Sequence, residues 1–273
     1  MKAHILISFV IICTLSSCEK VIDVNLNEAS PRIIVDGRIT NLDVPDTIKL
    51  SRSGNYFGRD EFERIIGAEV VVADNAGNRE VLQESAPGRY VANQLKGEPG
   101  RNYHLQISYG DETVQASSPF PHAVEIDSLT YRYRSGEFFL ADGNYITLYF
   151  VIPEGITSYF LLRLKSDSIM YSFNPDNFIL FTSEFFPDRK VEYEINQATF
   201  GLGQAEVELV SLTRQAYEFY SDLNSIRGNT GANPFTGVPE NPKNNLSGGA
   251  LGYFQVQAIS IGSIVIEPLT GLP

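Results

Sequence analysis

The 273-residue chain has no tryptophan, two cysteines, two methionines and three histidines. Each shortage removes a class of chemistry. Both cysteines, Cys13 and Cys18, lie within the first eighteen residues. A disulfide framework or a thiolate metal site in the body of the chain is therefore excluded. The catalytic patterns G-x-S-x-G, H-E-x-x-H, C-x-x-C, the Walker loop and the dinucleotide fingerprint are absent. Basic residues are also short, 21 against 33 acidic, for a net charge of −12. Phosphate backbones repel such a chain, so nucleic acid is not an expected partner. No cofactor is expected, and no enzymatic activity.

The amino end is apolar instead. Met1-Lys2-Ala3-His4 is a short positive start, and Ile5 to Leu15 is an almost unbroken apolar run. A spanning helix needs roughly 20 residues, so the run suits the apolar region of a secretory signal. Leu15-Ser16-Ser17-Cys18 then resembles the bacterial lipobox. In that signal the peptide bond before the cysteine is cut and the sulfur receives a diacylglycerol. The reading is a signal peptide over 1–17, lipidation of Cys18 and a polar tether over 18–30. Acyl chains anchor well, because each buried CH₂ contributes about 0.8 kcal/mol. An ordinary secretory signal with an incidental Cys18 is the alternative.

From Pro31 the pattern is short alternating runs between turn residues. Arg32 to Ile39, Thr47 to Ser51, Ala68 to Ala73, Arg79 to Gln83, Pro87 to Val91, Pro99 to Ile107 and Thr113 to Ser117 read as strands. Asp74-Asn75-Ala76-Gly77-Asn78 suits a hairpin turn. Regular strand spacing predicts a β-sandwich over 31–121. Ser118-Pro119-Phe120-Pro121-His122 is a stiff break, placed as a domain boundary. A second β-rich domain is expected over 122–273. Its strands are predicted near 126–134, 145–152, 159–165, 177–183, 190–195, 205–210 and 251–261. One helix is predicted over 211–227, capped by Ser211, with Leu212, Ala216, Phe219, Leu223 and Ile226 on one stripe. A loop over 228–249, rich in Asn, Pro and Gly, is long enough to be functional. It is expected to be removable without loss of the fold. Residues 31–122 carry 10 basic and 13 acidic side chains, and residues 123–273 carry 9 and 17, so the second half holds most of the acidity.

Few residues suggest a site. His104 alternates with Tyr103, Leu105 and Ile107 and is expected to face solvent. His122 lies in the proline-rich joint, and Asp142-Gly143-Asn144 lacks the spaced ligands of a calcium loop. Any acidic pair could build a glycosidase, but nothing selects one. Aromatic residues are plentiful, 14 Tyr and 17 Phe. Tyr217, Tyr220, Asn233, Pro234, Phe235 and Tyr253 are the candidate binding residues, with core packing as the plainer account of Tyr253 and Phe219.

Several stretches together carry a resemblance. They are Ile33-Ile34-Val35-Asp36-Gly37, Ile48-Lys49-Leu50-Ser51-Arg52-Ser53, Gly67 to Asp74, Pro99 to Leu105, Asn233-Pro234-Phe235 and Leu246 to Phe254. In this order and spacing the chain resembles a family of Bacteroidota outer-membrane lipoproteins catalogued as domain of unknown function 4249. The tail Ile264 to Pro268 departs from that pattern. The resemblance implies an immunoglobulin- or transthyretin-like first domain and an outer-membrane location. It also implies an accessory role beside a TonB-dependent transporter, since genes for such proteins tend to lie beside transporter genes. No catalytic residues are carried over. The expectation is an all-β, lipid-anchored, non-enzymatic binding partner. A structural or adhesive surface module and a hydrolase without a recognisable motif are the alternatives. Glu19 and Asp23 loosely resemble surface-export signals, interrupted by Lys20, so both membrane faces stay open.

Overall fold

A computed structural model describes residues 30–54, 62–136, 141–166, 178–196, 202–228 and 240–267. Cys18, the tether and Asn233-Pro234-Phe235 lie outside the described residues. Among the described residues the architecture is predominantly β, in three sheets with one α-helix.

The largest sheet draws on both ends of the chain. It contains β1 (Ile33–Thr40), β2 (Asp46–Arg52), β5 (Gln83–Ala86), β6 (Arg89–Ala92), β11 (Tyr159–Ser166), β12 (Ile179–Thr182), β14 (Gly203–Leu212) and β15 (Leu251–Ile266). Their order is β12-β11-β14-β15-β1-β2-β6-β5. A second sheet, β4-β3-β7-β8, is built from β3 (Glu69–Asp74), β4 (Arg79–Val81), β7 (Asn102–Tyr109) and β8 (Glu112–Pro119). A third, β13-β10-β9, comprises β9 (Ile126–Arg134), β10 (Gly143–Val151) and β13 (Lys190–Glu194).

Alternation along the strands makes the layers. In β1, Ile33, Val35 and Ile39 point inward while Asp36 and Arg38 stay exposed. These side chains meet Val70, Val72, Tyr103, Leu105 and Ile107 of the second sheet, forming one sandwich core. His104 and Gln106 are exposed between buried neighbours, as the alternation predicts. A separate core joins Ile146, Leu148 and Phe150 of the third sheet to Phe160, Leu162, Val207 and Leu209 of the first.

β15 serves both cores. Its first half pairs parallel with β1, from Ile34↔Leu251 to Thr40↔Gln257. Its second half pairs antiparallel with β14, from Ser211↔Ala258 to Gly203↔Ile266. The tail around Ile264 thus extends this strand and packs on the second core. The halves on either side of Pro119–Pro121 share this strand, and the described chain from Pro31 onward groups as one compact unit. Gly252 permits the close pairing. Its φ is +92°, and a Cβ there would stand 2.0 Å from the Val35 carbonyl oxygen.

Two local predictions need correction. The helix α1 runs Arg214–Gly228, not from 211. Thr213 caps it, its Oγ1 accepting from the Ala216 N–H at 3.1 Å. Ser211 remains in β14, where its Oγ accepts from Val124 N. The strand persists because Leu212 still pairs with Tyr159 and is buried. The end of the long loop is also structural. Asn245 clamps Phe254, accepting its N–H at 3.1 Å and donating to its carbonyl at 2.7 Å. Ser247 exchanges two hydrogen bonds with the backbone of Gln115 on β8. This segment covers an otherwise open strand edge, so a deletion reaching residue 248 removes part of the sheet's own bonding.

Candidate functional site

α1 lies across the face of the large sheet opposite the two cores. Ala216 is fully buried there beside Leu161, Val210, Leu212 and Ile259, with Phe219 partly buried against them. The same apolar stripe continues to Leu223 and Ile226, which instead overhang an open groove of about 630 Å³. That volume falls within the range of small-molecule sites.

The groove wall is aromatic. Phe219 lies 4.8 Å from Tyr253 and 5.6 Å from Tyr220, ring centre to ring centre. Phe178, just before β12, meets Tyr220 edge-on at 4.9 Å. The floor is polar, because outward positions of β1 and β15 share one face. The register sets Asp36 beside Tyr253 and Arg38 beside Gln255. Lys49 and Arg163 complete the lining.

Charges on this face are mostly paired. Lys49 meets Asp36 at 3.1 Å. Arg163 meets Glu208 at 3.3 Å, and Lys165 bridges Glu208 and Glu206. Burial pushes the Glu208 carboxyl up, but Lys165 and Arg163 outweigh it and hold the group below its ordinary value. Arg38 makes no direct ion pair among the described residues, and its charge acts on the Asp46 carboxyl.

The hydroxyls are strongly protonated. Burial pushes Tyr253 up to about 12. Tyr220 is raised too, chiefly by burial, while a hydrogen bond from Gln255 and the charges of Arg163 and Arg38 pull the other way. Gln255 Nε2 donates to Tyr220 Oη at 2.5 Å. Gln255 is 5% exposed, and its Oε1 has no partner. Next along the same face, Gln257 is fully buried with both amide atoms unpaired.

Of the sequence-predicted binding residues, Tyr220 and Tyr253 come together in the groove. Tyr217 faces elsewhere, its ring 5.2 Å from Tyr159. Asp36, Arg38, Arg163, Phe178 and Gln255 were missed. The available signal was polar glutamine at alternate positions of an otherwise apolar strand. Among the described residues no three His, Cys, Asp or Glu side chains cluster as metal ligands would. No described helix is long and apolar enough to cross a membrane.

The chain belongs to the family described as Domain of unknown function (DUF4249), which it matches over residues 19–260. No curated protein matches it.

Proposed function

We propose that this protein is a lipid-anchored, non-enzymatic binding protein of the outer membrane, an accessory of a TonB-dependent transporter, with the groove beside α1 as its ligand site. The observation that carries the reading is that groove, where an apolar wall of Phe178, Phe219 and Tyr220 stands over a floor of charged and amide side chains. Binding sites for small molecules combine these features: apolar area for affinity and a few polar groups for orientation. The anchor rests on Leu15-Ser16-Ser17-Cys18. On this reading the first sandwich, β1-β2-β6-β5 against β4-β3-β7-β8, is the immunoglobulin- or transthyretin-like module that holds the groove clear of the lipid.

Mass spectrometry of the mature amino end tests the anchor, with a diacylglyceryl thioether on Cys18 expected. Cross-linking in isolated outer membranes tests the partnership. A bare sulfur, or the absence of any TonB-dependent transporter from the cross-linked product, overturns the corresponding half.

A further inference from the structure

We infer that the end of the first sandwich where the chain enters at Pro31 rests on the lipid surface, with the Phe62 and Ile66 side chains inserted into it. The inference rests on the lipid-anchor reading and adds which face of the protein meets the membrane.

Three observations converge. First, Phe62 and Ile66 are 57% and 58% exposed, and both stand on one short segment. That segment is held in place. The Ile65 side chain is buried in the sandwich core. Its N–H donates to the Leu50 carbonyl at 3.2 Å, and the Gly67 N–H donates to Glu84 Oε2 at 2.9 Å. Single exposed apolar side chains are ordinary. Two on one fixed segment, with the Ile65 side chain turned inward, form a preset contact. Second, Arg52 ties this segment to the lipid end of the chain. Its backbone N–H donates to the Glu63 carbonyl at 2.8 Å, and its guanidinium donates to the Pro31 carbonyl at 3.2 Å. One residue thus bonds both the apolar segment and the point from which the chain leads back to Cys18. The thirteen residues from Cys18 to Ser30 span at most about 45 Å. Lipid on Cys18 would present the bilayer to this end at an effective concentration on the order of millimolar, at which even weak insertion is populated. Third, the surroundings suit a membrane interface. The Arg52 guanidinium lies 5.6 Å from the Tyr109 ring centre. Arg32 and Arg64 are exposed and make no ion pair among the described residues. Tyrosine rings sit at headgroup level, and arginine stems cover apolar surface while their heads reach phosphate. Glu63 and Glu112 stand here too. Insertion of the apolar pair, not attraction to anionic lipid, therefore carries the contact.

The test uses the full chain, purified with its lipid, in vesicles of phosphatidylethanolamine and phosphatidylglycerol. The chain has no tryptophan, so Phe62→Trp places a lone indole at the contact. Phe185→Trp, at a position 72% exposed after β12, is the control. The Phe62→Trp emission should shift to the blue on reconstitution and be quenched when brominated acyl chains replace ordinary ones, with the Phe185→Trp emission unchanged. Both positions are exposed, so both variants should fold; Ile66→Trp reads the same contact if Phe62→Trp does not. Flotation with the vesicles reads the anchor separately. A chain that does not float overturns the anchor and this inference with it. A chain that floats with the Phe62→Trp indole unquenched, or with both indoles quenched equally, overturns this inference and leaves the anchor standing. A blue shift in isolated outer membranes without quenching by brominated lipid would mean that another protein covers the pair, and also overturns it.

Discussion

Two buried tyrosines of the first sandwich contrast with Tyr220 and the glutamines under α1. Tyr90 accepts from Ala68 N at 2.9 Å and donates to the Ile65 carbonyl at 3.0 Å. Tyr103 accepts from Glu98 N at 2.8 Å and donates to the Lys96 carbonyl at 2.6 Å. Both capacities of each hydroxyl are used by backbone. Asp74 is similarly saturated. It accepts from Ala76 N, Asn78 N and Asn78 Nδ2, and pairs with Arg101 at 2.6 Å. Under α1 the pattern reverses. Tyr220 has one partner for its oxygen, Gln255 is half satisfied and Gln257 is not satisfied at all. The sandwich uses its polar groups to fix loops, while the helix-covered face leaves some open. The sandwich is complete alone, whereas the helix-covered face carries open polar groups beside the groove proposed as the site.

The sharpest way to break this comparison is Asp74→Ala. It strands two backbone N–H groups and leaves Arg101 with Glu98 alone, and should cost about 3 kcal/mol in urea unfolding at neutral pH. Burial pushes the Asp74 carboxyl up, but bonds from Asn78 and Ala76 and the Arg101 charge hold it below its ordinary 3.8. Its contribution is therefore full above that value and lost as pH falls through the lower folded one. The variant should lose that part of the acid dependence. A cost under about 1 kcal/mol would mean the turn's bonds are replaced by water.

Tyr103→Phe comes next. Removing one hydroxyl leaves the Glu98 N–H and the Lys96 carbonyl without their partner, for about 2 kcal/mol in the same assay. A neutral result would place the two regions on an equal footing.

Gln257→Leu should have the smallest effect and the opposite sign. The residue is 0% exposed and its amide is unpaired, so an apolar side chain of similar size relieves a buried polar group. Stability should be unchanged or rise by up to about 1 kcal/mol. A loss of more than about 1 kcal/mol would show that Gln257 is hydrogen-bonded in solution and that the contrast with the sandwich is false.

The strands were legible because burial on one face imposes a period of two, as in Tyr103, Leu105 and Ile107. The turn at Asp74–Asn78 was legible because Asp accepts from its own turn and Gly77 adopts φ +94°. The helix start was not. Ser211 and Thr213 are both good caps, and the choice fell to pairing of Leu212 with Tyr159 across the sheet. Aromatic composition singled out Tyr217, Tyr220 and Tyr253; Tyr220 and Tyr253 line the groove, and Tyr217 packs on Tyr159. Arg38 and Asp36 gave no signal, because an outward charged residue on a strand looks the same whether it meets solvent or a groove.

Local sequence thus determined the β class, most strand positions, the helix before Gly228 and the family, since each depends on side chains near one another along the chain. The site was decided by tertiary structure. β15 reaches Arg38 and Gln255 together only by pairing parallel with β1, across more than two hundred residues of intervening chain. Parallel pairing of such distant segments is set by which faces the two cores bury and by Gly252 admitting the Val35 backbone. No local period records those contacts, because they exist only once both cores have formed.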